Sequence, residues 1–128
     1  MKLLLDTRAL LWSVNEDQRL GPKARGLITD PANDVLVSVV SLWEIAVKLR
    51  TGKLKADIKN ISDVIDRSDV ARLGISLAHL LALAVLPIHH RNPFDHMLIA
   101  QAITEGATLK SEDQNISKYP VQAVSCSG

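Results

Sequence analysis

The sequence begins with the stretch KLLLD at residues 2–6, in which three leucines lie between a lysine and an aspartate. A short, unbroken apolar run of this kind is typical of a strand that is buried on both faces. VLV at residues 35–37 is a second such run, and it follows a segment rich in turn residues. We therefore predict buried strands at 2–6 and 34–38.

Helical patterns separate these strands from three further short strands. Four predicted helices cover 8–14, 22–29, 61–68 and 93–105. Another lies between the second and third of these in the chain, has apolar residues at 42, 45, 46 and 49, and ends near Gly52. A further helix begins at Leu77 and is stopped by Pro87. The further strands are predicted at 71–75, 108–110 and 121–124. Alternating strands and helices predict an α/β sandwich with a parallel sheet, whose functional crevice lies beyond the carboxyl ends of the strands.

Composition restricts the class of protein. A chain of 128 residues, of which 47% are hydrophobic, is long enough for one domain with its own core, without a metal or disulfide to hold it together. A net charge of +1 excludes a uniformly basic, histone-like surface. The single cysteine, Cys126, is consistent with a reducing cytoplasm, and neither a secretory signal nor a membrane span is expected, because the longest apolar run covers only 80–88.

Four acidic residues fall where the predicted topology would bring them together. Asp6 ends the first strand, Asp113 follows the strand at 108–110, and Asp95 heads an inward-facing stripe near the start of its helix. Glu44 is expected in the first turn of the helix after the second strand. Carboxylates this close would repel one another unless a cation neutralised them, and an all-oxygen site suits Mg²⁺ or Mn²⁺. Such ions activate water for phosphodiester hydrolysis.

Each acid also has an ordinary structural explanation when it is taken alone. Ser41 and Glu44 fit a capping box, and Lys48 would add an ion pair to Glu44. Asp95 favours a helix N-terminus without any metal, and Asp113 is a common turn residue. The argument for a site therefore depends on the joint placement of all four acids.

Basic and aromatic residues have two interpretations. A run of five cations could follow an RNA backbone or could form a solvated surface: Lys48, Arg50, Lys53, Lys55 and Lys59. His89 and His90 are expected to shape the loop before Asn92, because no further ligand lies at zinc spacing. Trp12 and Trp43 are expected to pack in the core or in a dimer rather than to stack on bases.

Four blocks of the sequence carry a further signal through their order and spacing: LLLDTRALLW at 3–12, VSVVSLWEIAVKLRTGKL at 37–54, HHRNPFDHMLIAQAITEG at 89–106 and TLKSED at 108–113. In these blocks the sequence resembles PIN-domain ribonucleases, and specifically the VapC-type toxins of bacterial toxin–antitoxin pairs. The resemblance implies one PIN domain over 1–128, with a three-layer sandwich around a five-stranded parallel sheet in the order 3-2-1-4-5.

The same resemblance implies an endoribonuclease that depends on Mg²⁺ or Mn²⁺, forms a homodimer, and is inhibited by a cognate antitoxin protein. It assigns Asp6 and Asp95 as core metal ligands, Glu44 as a ligand or water-positioning group, and Asp113 as a direct or water-mediated ligand. Small hydroxyl positions beside this metal site are matched by Thr7 and Ser111.

The chain departs from the family pattern at four places. Arg8 stands where relatives often have His, Asn92 where many have Asp, and Lys110 and Glu112 replace an apolar and a small residue near the fourth acid. Two other functions stay open at this stage. One is a PIN-like module that has lost catalysis and binds only a protein partner. The other is a phosphotransferase with Asp6 as nucleophile, although that chemistry would want a second aspartate where Arg8 stands.

Overall fold

A five-stranded parallel sheet forms the centre of the protein in the computed structural model, which describes residues 1–127. Its strands are β1 (Lys2–Leu5), β2 (Asp34–Ser38), β3 (Val70–Leu73), β4 (Thr108–Lys110) and β5 (Ala123–Val124). They are ordered β3-β2-β1-β4-β5, and every neighbouring pair is parallel. The predicted α/β class and strand order are therefore confirmed.

Six α-helices cover the sheet. They are α1 (Thr7–Val14), α2 (Pro22–Thr29), α3 (Val39–Arg50), α4 (Ile58–Arg67), α5 (Leu77–Ala84) and α6 (Pro93–Glu105), and a 3-10 helix spans Gln114–Lys118. Within residues 1–127, none of these helices has the length and apolar character needed to cross a membrane.

The side chains of β1 alternate between two hydrophobic cores. Leu3 and Leu5 pack with apolar residues of α1, α2 and α4, whereas Leu4 packs with α6. All three leucines are at most 2% exposed, as expected for a central strand covered on both faces. The alternation of side chains along a strand thus produces the predicted three-layer sandwich.

Several element boundaries differ from the sequence predictions. The third strand covers 70–73 rather than 71–75, and the fifth covers 123–124 rather than 121–124. Helix α4 begins at Ile58 instead of 61, because the Asp57 side chain accepts hydrogen bonds from the Lys59 and Asn60 amides and caps the helix. The 3-10 helix was not predicted.

Helix α3 corrects two predictions about Glu44. The helix begins at Val39, directly after β2, because the Ser38 side chain accepts the Val40 amide at 3.0 Å and caps it. The proposed capping box at Ser41 is therefore wrong, and Glu44 lies in the second turn rather than the first. The chain enters the helix without a loop, and this fixes the direction of α3 relative to the sheet edge.

A buried polar network ties this edge to the opposite helical layer. The Ser38 hydroxyl donates to Gln101 Oε1 at 2.6 Å, and Gln101 Nε2 donates to the Gly74 carbonyl at 3.2 Å. His79, which is 1% exposed, lies next to Gln101 and contacts Glu105 through Nε2 at 2.9 Å. Since buried polar groups are costly without partners, this network fixes α5 and α6 against the end of β2.

We expect Gln101→Leu to lower the free energy of unfolding by about 1–3 kcal/mol, because it leaves the Ser38 hydroxyl and the Gly74 carbonyl without their partner. Urea unfolding followed by circular dichroism measures this loss. Gln122→Leu is the matched control, since Gln122 is exposed and its side chain makes no hydrogen bond among the described residues. Equal stabilities for the two variants would contradict the network's role.

Candidate active site

Asp6 lies at the junction of β1 and α1. Its Oδ1 accepts the Ala9 amide at 2.8 Å, so that Asp6 caps α1, and its own amide donates to the Lys110 carbonyl of β4 at 3.1 Å. The side chain is almost buried, and this burial raises the pKa of Asp6 above its ordinary value. Hydrogen bonds from the Ala9 amide and the Ser111 hydroxyl oppose that rise in part. Asp6 is thus a desolvated acid held in one orientation.

Glu44 is buried beside Asp6, and both of its oxygens have partners. The Thr7 hydroxyl donates to Oε1 at 2.6 Å, and Lys48 Nζ lies 2.9 Å from Oε2. The predicted ion pair between Glu44 and Lys48 is present. The contact with Thr7 joins the start of α1 to α3, and this brings the first two predicted site acids together.

Asp95 occupies the third position of α6. The Asn92 side chain caps the helix by accepting the Phe94 and Asp95 amides at 3.0 and 3.2 Å, so the residue found where relatives often carry Asp has a structural role. Leu98, one turn further on, is fully buried, as the inward stripe predicted. Burial raises the pKa of Asp95 to about 6, and the nearby Glu44 and Asp113 carboxylates add to the rise.

Asp113 follows β4 and caps the 3-10 helix by accepting the Asn115 amide at 2.9 Å. Its own amide donates to the Ser111 hydroxyl at 3.1 Å. Burial acts to raise the pKa of Asp113, but hydrogen bonds from Asn115 and Asp95, together with the nearby His90, outweigh it and leave the pKa below its ordinary value. Asp113 and Asp95 are therefore shifted in opposite directions.

All four predicted acids line one cavity of about 330 Å³ at the carboxyl edge of the sheet: Asp6, Glu44, Asp95 and Asp113. Ligand atoms of Asp95, Asp113 and His90 all lie within 4.8 Å of one another, whereas Asp6 and Glu44 are outside this group. In residues 1–127 this is the one such group of three or more potential ligands. Its carboxylate oxygens fit a hard divalent cation such as Mg²⁺ or Mn²⁺.

His90 is a member of the site that sequence reasoning missed. Its Nε2 lies 3.2 Å from Asp95 Oδ2, and its Nδ1 lies 2.9 Å from the hydroxyl of Tyr119. We expected the histidine pair only to shape the loop before Asn92. One feature of the sequence could have indicated this role. His90 lies five residues before Asp95, in the loop that leads into α6.

Basic side chains form one flank of the cavity. Arg8, Arg19, Lys48 and Lys55 line it together with Trp12, and the Arg19 guanidinium lies 5.0 Å from the centre of the Trp12 ring. The other predicted cations, Arg50, Lys53 and Lys59, do not line this cavity. Only part of the basic run therefore lies beside the acids.

Lys110 and Glu112, the two departures from the family pattern near the fourth acid, are not among the residues that line the cavity. Lys110 is buried, and this burial lowers its pKa. The Glu112 carboxylate accepts hydrogen bonds from the backbone amides of Cys126 and Ser127, the second at 2.8 Å, and so holds the end of the chain.

The fold and this cluster of acids define an α/β protein with a carboxylate site at the carboxyl edge of a parallel sheet. The chain belongs to the PIN domain family, because the family model matches residues 3–122. This confirms the family resemblance seen in the sequence. No curated protein matches the chain significantly.

Solved structures share the fold at low sequence identity. VapBC2 from Rickettsia felis, bound to a DNA fragment from its promoter, superposes with a TM-score of 0.74 at 19% identity over 98% of both chains. DNA-bound VapBC from Salmonella typhimurium gives 0.70 at 16% identity, again over 98% of both chains. VapBC-5 from Mycobacterium tuberculosis, a toxin–antitoxin system, gives 0.60 at 19% identity over 97% of this chain and 96% of that one.

The raised pKa of Asp95 predicts how stability depends on pH in the absence of divalent cations. An ordinary aspartate has a pKa of 3.8, and Asp95 has one of about 6 in the folded protein, so the folded state binds the proton more tightly. Its charge therefore destabilises the folded state above pH 6, and this cost disappears as the pH falls from 6 towards 4.

We expect Asp95→Asn to raise the free energy of unfolding near pH 7 by on the order of 1–2 kcal/mol, and to flatten its dependence on pH between about 4 and 7. Urea unfolding in EDTA across this range measures both effects. Asp63→Asn, at an exposed position, is the control and should leave the wild-type profile unchanged. A profile of Asp95→Asn parallel to the wild type would contradict the shifted pKa.

Proposed function

We propose that this protein is an endoribonuclease that depends on Mg²⁺ or Mn²⁺ and acts as the toxin of a toxin–antitoxin pair. The observation that carries the proposal is the convergence of Asp6, Glu44, Asp95 and Asp113 on one cavity of a PIN domain. Burial is the main cause of the raised pKa values of Asp6 and Asp95, and the nearby Glu44 carboxylate adds to both, so their charged forms carry an energetic cost. A divalent cation would offset that cost.

The acids divide into two groups by the partners they already have. Asp6, Asp95 and Asp113 all line the shared cavity and would hold the cation, with Asp113 acting directly or through water. Asp95 and Asp113 belong to the group of close ligand atoms that includes His90, whereas Asp6 lies outside that group. Each oxygen of Glu44 already has a partner, Thr7 or Lys48, so we assign Glu44 to positioning a water rather than to direct contact with the ion. The bound cation supplies an activated water and stabilises the leaving oxygen of a phosphodiester.

RNA as the substrate is supported by the charges around the acids. Arg8, Lys55 and Arg19 lie on one flank of the cavity, where they can contact phosphates on either side of the scissile bond. Of the four cations that line the cavity, Arg19 pairs with Asp17 at 2.7 Å and Lys48 pairs with Glu44, whereas Arg8 and Lys55 have no ion pair among the described residues. An RNA strand bound along these cations would place its phosphodiester backbone beside the carboxylates.

A cognate antitoxin is supported by the complexes that share this fold, four of which are named VapBC. The same comparison supports a toxin role for this chain. An antitoxin that covers the acidic cavity would block access of RNA to the site and so suppress cleavage.

A homodimer is supported by the apolar surface of α5 and the segment after it. Leu77, Leu81, Val85 and Ile88 are between 63% and 83% exposed. Large apolar side chains that are exposed together on a small protein are typical of an interface. We place the dimer contact on this surface.

We expect Asp6→Asn to lower RNA cleavage by more than about 100-fold, because losing a cation ligand costs more than losing one of its outer partners. The fold should survive, since asparagine also caps helices well and can still accept the Ala9 amide. The measurement is cleavage of a mixed RNA substrate by the purified, antitoxin-free protein with Mg²⁺, Mn²⁺ or EDTA.

Asp63→Asn serves as the charge-matched control on the exposed face of α4 and should cleave like the wild type. Cleavage by Asp6→Asn at an undiminished rate would exclude the assigned site. A wild type that neither cleaves RNA nor binds Mn²⁺ in a calorimetric titration would instead favour the catalytically silent, protein-binding PIN module.

We expect Lys55→Ala, in the inactive Asp6→Asn background, to weaken single-stranded RNA binding and to reduce the slope of log K against log salt by about 0.7, the value for one lost phosphate contact. Fluorescence anisotropy at several salt concentrations measures the slope. Lys59→Ala is the control, because Lys59 lies outside the cavity on the same chain segment. Identical slopes for the two variants would remove Lys55 from the RNA path.

A further inference from the structure

His90 is fixed by contacts to every polar group that it carries. Its backbone amide and that of His89 donate to the Tyr119 hydroxyl at 3.3 and 2.9 Å, and its carbonyl lies 2.7 Å from His96 Nε2. The side chain is 12% exposed, with Nδ1 at 2.9 Å from the same Tyr119 oxygen and Nε2 at 3.2 Å from Asp95 Oδ2. These contacts hold the imidazole in one orientation, in which Nε2 faces Asp95.

The Tyr119 hydroxyl determines which nitrogen of His90 carries the proton. A phenolic oxygen has two lone pairs and one hydrogen. The two backbone amides occupy the lone pairs, so the hydrogen is left to donate to His90 Nδ1. A neutral imidazole that accepts at Nδ1 carries its proton on Nε2. Nε2 is therefore a donor, and the acceptor within reach is Asp95 Oδ2.

We propose that His90 is a positioning residue, which donates from Nε2 to Asp95 Oδ2 and leaves Oδ1 free for the divalent cation. This inference rests on the metal site put forward as part of the proposed function. Tyr119, which is 4% exposed, contacts the opposite nitrogen of the ring. A buried core residue therefore fixes His90, and His90 in turn fixes the Asp95 carboxylate. Hydrogen-bonded partners of this kind orient metal ligands and commonly change metal affinity by 10–100-fold.

The competing role for the same ring is direct ligation of the cation through Nε2. That role needs the opposite tautomer, with the proton on Nδ1 and the Tyr119 hydroxyl as acceptor, although both lone pairs of that oxygen are already used. The two roles also differ in metal preference. A nitrogen ligand favours Mn²⁺ over Mg²⁺, whereas a group that only orients a carboxylate affects both ions alike.

The test compares His90→Ala and His90→Gln with the wild type, because the glutamine amide can place an N–H near the position of Nε2. Affinity for Mn²⁺ alone is measured by the electron paramagnetic resonance signal of the free ion, and affinity for Mg²⁺ by competition. We expect His90→Ala to weaken both ions about ten-fold without changing their ratio, and His90→Gln to recover most of the loss. His89→Ala, which removes the neighbouring exposed ring, is the matched control.

A second readout needs neither metal nor RNA. Long-range ¹⁵N–¹H spectra of the metal-free protein at about pH 8 report which imidazole nitrogen is protonated, and we expect the proton of His90 on Nε2. Tyr119→Phe should remove this preference, because it removes the donor to Nδ1. The opposite tautomer in the wild type would overturn the proposal even if His90→Ala failed to fold.

The remaining outcomes separate this inference from the proposed function. A selective loss of Mn²⁺ binding in His90→Ala would show direct ligation, and unchanged affinity for both ions would show a purely structural ring; either overturns the inference. A wild type that binds Mn²⁺ but cleaves no RNA would contradict the nuclease function and leave the positioning role intact. A wild type that binds no divalent cation would overturn both.

Discussion

The crowding of four carboxylates at one edge of the sheet is the constraint on which the rest of this structure depends. Parallel strands all end at the same edge, and β1 and β4 are hydrogen-bonded neighbours. Asp6 after β1 and Asp113 after β4 therefore line the same cavity. Glu44 and Asp95 reach the edge from helices packed on opposite sides. Partial burial makes each charge more costly than it is in water. The surrounding residues are arranged to offset this cost.

Each acid has its own set of donors, drawn from a different local structure. Helix caps supply backbone amides to Asp6 and Asp113, whereas Glu44 uses a hydroxyl and an ammonium group, and Asp95 uses an imidazole. These contacts hold the carboxylates in place before any cation binds. Side chains that are already held in place lose little conformational entropy when a ligand binds. This favours an ion that prefers a fixed coordination geometry.

The sequence predicted the fold well because the fold depends on local patterns. The apolar run before Asp6 and the stripe after Asp95 are each readable within one element, and relatives with the same motifs gave the strand order. The orientation of the His90 ring could not be predicted in this way. It depends on Tyr119, which lies 29 residues further along the chain and beyond β4. The start of α3 was misplaced because two serines, Ser38 and Ser41, could each have capped it, and only packing against the sheet decides between them.

The opposite pKa shifts of Asp95 and Asp113 indicate how the site accommodates its charge without a cation. Asp95 retains a proton up to about pH 6, while Asp113 is held in the charged form, so the pair carries close to one negative charge in mildly acidic solution. A cation that binds to both must displace the proton from Asp95, which couples metal binding to pH. The hydrogen bond from His90 works in the same direction as the cation, because it also favours the charged form of Asp95. The hydrogen bond that we propose to orient this carboxylate would therefore also favour the charged form that a cation needs.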